Sequence, residues 1–187
     1  ADAVRMLRTA VKEAYKNGRI IVFIEPIALY MTKDLYKAKD GKWEFIYPKL
    51  NDESPIGEFK SYGNGRLLTI LTYGNGLYLS LQAQKDIEKK LGKKIKIIDL
   101  MWISDINYET LLKEISPCKK ILIVDECRRS GCHGEGILTN LILKSKTSLN
   151  IDLHAAEDSF ISIGNAATAT LPSKDSIVQN ALNLVNA

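Results

Sequence analysis

The sequence has few of the residues that build disulfide frameworks and metal sites. It contains three cysteines and two histidines in 187 residues. An odd number of cysteines without regular spacing argues against a disulfide-stapled secreted domain and favours a reducing compartment. Long apolar runs are also scarce, since none approaches the roughly 18 residues that a membrane-spanning helix requires. What remains is a globular chain whose apolar fraction of 45% is sufficient for a core.

The charge of the chain is mild and scattered. The formal net charge is +4, and the lysines are spread along the sequence without forming a continuous basic block. Proteins that bind nucleic acid or a membrane surface usually concentrate basic residues in one segment or on one helix face. The composition therefore predicts neither a nucleic-acid partner nor a membrane partner.

The first 30 residues predict one amphipathic helix followed by one buried strand. Apolar residues recur at helical spacing, and Asn17 and Gly18 end the pattern. Residues 19–25 read RIIVFIE, a continuous apolar run that is typical of a strand buried on both faces. A central strand needs neighbours for its backbone groups. Residues 1–30 are therefore predicted to be the C-terminal remnant of a domain. The apolar residues of the helix are Val4, Leu7, Val11 and Ala14.

Residues 31–64 predict a connector. They carry two prolines, Pro48 and Pro55, three glycines and many charges, without a sustained helical or strand period. Connections of this length are uncommon inside a compact domain, so the segment is interpreted as an interdomain connector. Trp43 and Phe45 are expected to hold part of it against a surface, because exposed aromatic area favours contact.

Residues 65–187 alternate between strand and helix patterns, which predicts a parallel α/β domain with helices packed on a sheet. The fourth strand pattern alternates apolar and polar residues and is expected nearer an edge. Ser173 is predicted to cap the last helix. The four predicted strands cover residues 67–72, 95–100, 121–125 and 149–155.

The turn made by Gly74, Asn75 and Gly76 is a candidate anion site. It follows the first of these strands and opens a helix, where free backbone N–H groups can bind an anion. The dinucleotide fingerprint requires a third glycine, which is absent here. The favoured interpretation is a tight turn that lets the helix pack closely on its strand.

Residues 126–136, ECRRSGCHGEG, form the densest run of reactive side chains. Zinc binding through Cys127, Cys132 and His133 is disfavoured because no second pair of ligands follows at a suitable spacing. A Cys–His nucleophile is disfavoured because adjacent residues in a glycine-rich loop are poorly oriented. The favoured interpretation is a functional loop at the carboxyl end of a strand. Its candidate contact residues are Glu126, Arg128, Arg129 and His133, the arginines facing a carboxylate or a phosphate.

Six segments together resemble the β part of 2-oxo acid dehydrogenase E1 components, whose C-terminal domain is of the transketolase type. FIEPIALY resembles the last strand of the pyrimidine-binding domain in that family, and FISIGNAA is close to the branched-chain form. The resemblance covers nearly the whole chain. The segments are FIEPIALY, DGKWEFIYP, LTYGNGLYLSL, KIKIIDLMWISDINYETLL, ILIVDECRRSG and AAEDSFISIGNAATATLPSKDSI.

The resemblance implies a doubly wound, mostly parallel sheet with one antiparallel strand and helices on both faces. It also implies an enzyme that uses thiamine diphosphate and Mg²⁺ to decarboxylate a 2-oxo acid, then passes the acyl group to a lipoyl acyltransferase, E2. The family's catalytic, cofactor-binding and metal-binding positions have no counterpart here. The chain is therefore expected to be a C-terminal fragment that binds no cofactor and is inactive alone.

The partners that the resemblance implies are an E1 α part, a second E1 β part across a twofold axis, and E2. Residues 126–134 and the loop at Phe160 and Ile161 are the expected contacts. The implied compartment is a bacterial cytoplasm or a mitochondrial matrix. The same domain from a transketolase or a deoxyxylulose-phosphate synthase is an alternative. Two further alternatives are a free-standing module that binds an anion or a nucleotide, and a domain that serves assembly alone.

Overall fold

The computed structural model describes residues 1–187 and contains five α-helices and five β-strands. Two short 3₁₀ helices add to these, at Ile27–Leu29 and Gly164–Ala169. None of the helices combines the length and the apolar character needed to cross a bilayer. The α-helices are α1 (Asp2–Asn17), α2 (Asn75–Leu91), α3 (Tyr108–Ile115), α4 (His133–Lys144) and α5 (Lys174–Asn186).

One five-stranded sheet organises the chain, with strand order β1-β3-β2-β4-β5. Strand β1 pairs antiparallel with β3, whereas all other neighbours are parallel. Strand β5 lies at the other edge, as its alternating pattern predicts. The expectation of a mostly parallel sheet with one antiparallel strand is confirmed. The strands are β1 (Lys60–Tyr62), β2 (Thr69–Thr72), β3 (Lys96–Asp99), β4 (Lys120–Arg128) and β5 (Asn150–Ala156).

Helices cover both faces of the sheet, so the doubly wound prediction is also confirmed. On one face, α2 and α5 pack against side chains such as Ile70 and Leu122. On the other face, α3 and α4 pack against side chains such as Leu71 and Ile123. These residues alternate along β2 and β4, because successive side chains of a strand point to opposite faces. Strands β2 and β4 therefore read as continuous apolar runs.

Local signals fix the ends of the helices that carry the sheet. Ser173 is the N-cap of helix α5, and its hydroxyl accepts a hydrogen bond from the Ser176 N–H at 3.1 Å, as predicted. Gly92 is the C-cap of helix α2 and adopts a left-handed φ of 62°. Because α2 follows a parallel strand, it runs back from the carboxyl edge of the sheet to the amino edge.

The prediction of a buried strand over residues 19–25 is wrong for this structure. The segment has no strand assignment, and residues 20–25 make no backbone–backbone hydrogen bond. Ile20, Val22 and Ile24 are 96%, 80% and 74% exposed. The physical reason is the lack of a pairing partner: β1 and β5 are the edge strands of the sheet, and the segment pairs with neither. An apolar sequence alone does not make a strand without a pairing partner.

Helix α1 packs with its polar side inward. Arg5 forms ion pairs with Asp2, Asp52 and Glu58 at 3.0–3.2 Å, and Thr9 donates a hydrogen bond to the Ser54 carbonyl at 2.8 Å. Only Thr9 and Ala10 are buried in this helix. Three large apolar or aromatic side chains of α1 face solvent, which reverses the usual arrangement of an amphipathic helix. They are Leu7, Val11 and Tyr15.

The predicted connector lies along α2 and then enters the sheet. Tyr78 of α2 donates a hydrogen bond to the Asp34 carbonyl at 2.8 Å, and its ring packs edge-on against Trp43 at 5.1 Å. The expected anchoring of Trp43 to a surface is thus present. The last part of this segment supplies β1, so the sheet begins five residues before the predicted domain start at residue 65.

Candidate functional site

The carboxyl edge of the sheet brings together the two sequence-predicted sites. The turn after β2, the end of β4 and the start of α4 meet there. Strand β4 is out of register with β5 at this point, because four steps on β4, from Val124 to Arg128, match two steps on β5. Such a bulge redirects side chains and is common beside functional sites. The bulge comprises the residues between Val124 and Arg128.

The turn at Gly74, Asn75 and Gly76 is built for close packing. Gly74 adopts a positive φ of 55°, and Gly76 is buried. A Cβ atom on Gly76 would lie 2.2 Å from the Thr72 hydroxyl oxygen, so no larger residue fits without movement. The Gly76 and Leu77 N–H groups bond to the carbonyls of Tyr73 and Gly74. The geometry therefore supports the packing interpretation of this turn.

Asp125 is the buried centre of the edge, and the sequence interpretation missed its role. Its side chain is 1% exposed. One carboxylate oxygen accepts the Cys127 N–H at 2.9 Å, and the other accepts the Gly134 N–H at 2.8 Å. Asp125 therefore ties the first turn of α4 to the end of β4, at the positive end of the helix dipole. The sequence does contain one indication of this role, which is an acidic residue at the end of a buried apolar run.

Tyr73 and His133 lie above this carboxylate. Burial, followed by the neighbouring Asp125 carboxylate, holds the Tyr73 pKa far above its usual value. The Tyr73 and His133 rings meet edge to face, with centroids 6.0 Å apart. The Nε2 atom of His133 is shielded from solvent and has no hydrogen-bond partner. Tyr73 is thus a neutral donor over the physiological pH range.

Glu126 lies near the glycine turn. Shielding from solvent raises its pKa, the neighbouring Asn75 side chain lowers it, and the negative charge of Asp125 raises it further. Glu126 and Asn75 are thus near one another in space, although they are 51 positions apart in the sequence. A carboxyl group with a raised pKa can exchange a proton more readily near neutral pH than an exposed one.

The two arginines have different roles. Arg129 is a structural residue, since its guanidinium donates to the Leu153 carbonyl at 2.7 Å and its N–H donates to the Ala156 carbonyl at 2.9 Å. Arg128 is exposed and free of ion pairs, so it remains available to an anionic group.

Asp158 holds the loop that follows these arginines. It accepts hydrogen bonds from the N–H and hydroxyl of Ser130 at 2.8 and 2.5 Å, and these bonds lower its pKa.

The cysteines of this edge are not activated nucleophiles. Cys127 is exposed and Cys132 is buried, and neither forms a disulfide. Partial burial raises the pKa of both thiols, and the nearby charge of Asp125 adds to the effect. A raised pKa keeps the thiol protonated and unreactive. No group of three or more His, Cys, Asp or Glu side chains is arranged to hold a metal ion.

The sequence around this edge matches a known family. The family model described as "Transketolase, C-terminal domain" matches residues 57–171, which is more than half of the chain. The chain belongs to the transketolase C-terminal domain family. The matched range begins just before β1 and ends just before α5, so it includes every strand of the sheet and the whole carboxyl edge.

Curated relatives extend the match. The chain is 25% identical over 145 residues to "Pyruvate dehydrogenase E1 component subunit beta" of Staphylococcus aureus, and 26% identical to the protein of that name from Staphylococcus epidermidis. In both cases the match covers 73% of this chain and 44% of the relative. The chain thus spans less than half the length of the curated relatives it matches.

A solved structure shows the same fold. A split-gene transketolase, described as an inactive beta4 tetramer, superposes with a TM-score of 0.64 at 16% identity. The superposition covers 76% of this chain and 45% of that chain. The likeness at this level of identity concerns the fold.

The carboxyl edge of this sheet forms no cradle for a diphosphate and its metal ion. The Gly76 and Leu77 N–H groups of α2 are already bonded to carbonyls, and the Thr72 hydroxyl fills the space beside Gly76. No group of three or more His, Cys, Asp or Glu side chains could hold the metal ion. The residues at this edge therefore do not fit thiamine diphosphate by themselves.

The remaining predicted residues, Phe160 and Ile161, lie on an exposed loop after β5. Phe160 is 99% exposed and Ile161 is 54% exposed, and Ile163 of the same loop is 99% exposed. Neither Phe160 nor Ile161 belongs to the hydrophobic clusters that pack on the sheet. Adjacent exposed large apolar side chains of this kind are typical of an interaction surface.

Proposed function

We propose that the chain is the C-terminal portion of the β part of a thiamine-diphosphate-dependent 2-oxo acid dehydrogenase E1. The family match over residues 57–171 supports the domain, and the relatives named pyruvate dehydrogenase E1 β support the enzyme class. The observation that carries the proposal is the 73% coverage of this chain by those relatives. The segment FISIGNAA supports a branched-chain 2-oxo acid as the substrate.

The proposed organisation has three parts: residues 1–30 as the remnant of a pyrimidine-binding domain, 31–64 as a connector, and 65–187 as the transketolase-type domain. The exposed apolar side chains of α1 and of residues 20–24 support the first part, because this area normally packs against other elements. The unpaired backbone of residues 20–25 supports it equally, since a strand in that place needs neighbours.

The proposed role of this portion is assembly and E2 docking. Thiamine diphosphate and Mg²⁺ would be bound by the intact enzyme outside these residues. Exposed Arg128 and the apolar loop at Phe160 suit contact with the α part, a second β part or E2, since interfaces combine aromatic anchors with arginine. The oxidoreductase activity therefore belongs to the assembled enzyme.

The experiment recovers the native protein from its source with an antibody to this chain and measures 2-oxo acid decarboxylation with thiamine diphosphate and Mg²⁺. We expect a longer polypeptide or an α partner, recovery of lipoylated E2, and turnover of 3-methyl-2-oxobutanoate faster than pyruvate. Preference for a sugar phosphate would instead identify a transketolase. Turnover by the isolated 187-residue chain would contradict the proposed division of labour.

A matched pair of variants tests the docking surface. Phe160→Ser removes an exposed aromatic from the proposed contact, and Leu143→Ser removes a large side chain of α4 that is 77% exposed. We expect Phe160→Ser to reduce recovery of the partner subunits about tenfold, in line with the loss of one anchoring residue. Equal recovery from both variants would remove Phe160 from the interface.

A further inference from the structure

The amino edge of the sheet carries a shallow, open cleft that the proposed function does not use. It has a volume of about 450 Å³ and lies where α2 ends and β3 is about to begin. Six residues line it, and none is hydrophobic. The cleft lies at the opposite edge of the sheet from Asp125 and Glu126, because α2 runs the length of the domain. The lining residues are Lys85, Glu88, Lys89, Gly92, Lys93 and Lys94.

The positive charge of this cleft is largely uncompensated. Its single carboxylate, Glu88, is already committed: one oxygen bonds Lys94 at 2.7 Å, and the other accepts the Ile95 N–H at 3.2 Å. Lys85 lies 3.4 Å from the centroid of the Tyr36 ring, which holds its ammonium group in place without neutralising it. Lys89 and Lys93 take part in no ion pair. At least three positive charges therefore face one open space.

Helix capping accounts for only part of this arrangement. Lys89 lies in the last turn of α2 and Lys93 follows the helix end directly, and the helix dipole favours a positive charge at both places. Lys85 precedes the last turn, so the dipole does not explain its position. Lys85 and Lys89 are four residues apart within α2, and like charges at this spacing repel one another. Asp86 offsets part of this charge, since Lys174 and, to a smaller extent, Lys90 and Lys89 lower its pKa.

We propose that this cleft binds a condensed phosphate, an anion that carries several phosphate groups. The cleft contains lysine but no arginine, and lysine binds phosphate as a point charge, whereas arginine dominates planar recognition of carboxylates. The absence of apolar lining disfavours a nucleobase, which requires a stacking surface. The one aromatic ring nearby, Tyr36, is covered by Lys85.

The test is calorimetric titration of the full 187-residue chain with sodium tripolyphosphate, with sulfate at equal ionic strength as the comparison. The test variant is Lys89→Gln with Lys93→Gln. The control is Lys16→Gln with Lys146→Gln, which removes the same charge from two exposed lysines elsewhere. We expect tripolyphosphate to bind and sulfate not to bind. The test variant should weaken binding about tenfold and the control less than twofold.

Thermal unfolding shows whether weaker binding by the test variant is caused by a folding defect. Without ligand, the test variant should melt close to the wild type, because the lost attraction between Lys89 and the helix dipole is offset by the lost repulsion between Lys85 and Lys89. With tripolyphosphate, the wild type should gain melting temperature and the test variant should not. Three results would overturn the proposal: no binding, equal weakening in both variants, or equal response to sulfate. Preference for an acidic peptide over tripolyphosphate would overturn it as well.

Discussion

Single carboxylates in this chain are tuned by their surroundings, and Asp99 shows this most clearly. It lies at the carboxyl end of β3, opposite Lys60 of β1. Shielding from solvent raises its pKa to about 7, the charge of Asp2 adds to the effect, and Lys60 opposes it. Lys60 is instead paired with Asp2 at 2.9 Å. Asp99 is therefore an acid that the fold keeps largely protonated below neutral pH.

The first prediction concerns stability as a function of pH. The unfolded chain releases this proton near pH 4, but the folded chain retains it to about pH 7. The folded state binds more protons in this window, so its stability falls as pH rises from about 4 to 7. Asp99→Asn removes that fall. Its free energy of unfolding relative to wild type should increase by on the order of 2–4 kcal/mol across the window.

Urea unfolding at several pH values between 4 and 8 measures this difference. Glu157→Gln, at an exposed position, is the control and should follow the wild type at every pH. If the difference in free energy of unfolding between Asp99→Asn and wild type stays constant from pH 4 to pH 8, Asp99 does not titrate in this range.

At the scale of elements, the two helices that open at the carboxyl edge contain glycines with opposite requirements. Gly76 in α2 is buried against the Thr72 hydroxyl, which itself donates to the Val124 carbonyl at 3.0 Å. Gly136 in α4 has open space where a Cβ would be. Both are in the first turns of their helices, so they form a natural pair for comparison.

The second prediction follows from this pair. Gly76→Ala should lower the free energy of unfolding by about 1–3 kcal/mol, because the new methyl group displaces the Thr72 hydroxyl from its bond. Gly136→Ala should raise it by up to about 1 kcal/mol through helix propensity. Adding Thr72→Ala to Gly76→Ala should recover part of the loss, which a double-mutant cycle in urea detects. Additive costs would show that the clash is relieved in another way.

The elements also show where sequence interpretation succeeds. The predicted strand over residues 121–125 lies inside β4, and Ser173 caps α5, since both depend on local patterns. The position of Asp125 beneath Tyr73 and Gly134 depends on a bulge and on three separate elements, so no local pattern announces it. The run at residues 19–25 has a strong strand pattern but no partner strand, and its pattern alone was misleading.

Across the whole molecule, two regions differ in whether their backbone N–H and C=O groups form hydrogen bonds. The core strand β4 pairs on both sides, with β2 and β5. Residues 20–25 pair with nothing in this chain. The third prediction is that amides of residues 20–25 exchange with deuterium within seconds, whereas those of residues 121–124 are protected to the level of global unfolding.

Hydrogen exchange followed by mass spectrometry measures this contrast. In the recovered native assembly, residues 20–25 should become protected if they form a strand with another part of the enzyme. Fast exchange in both preparations would argue that this segment is never a strand. Slow exchange in the isolated chain would mean that the segment pairs with itself or another copy.

That last outcome points to how the chain behaves at high concentration. An extended apolar run with unpaired backbone groups is a template for uncontrolled growth of β-structure between molecules. Here the run is bracketed by Arg19 before it and Pro26 shortly after it, two residues that oppose such growth. Arg19 and Pro26 also limit aggregation of this segment during synthesis, before a neighbouring strand is available to pair with it.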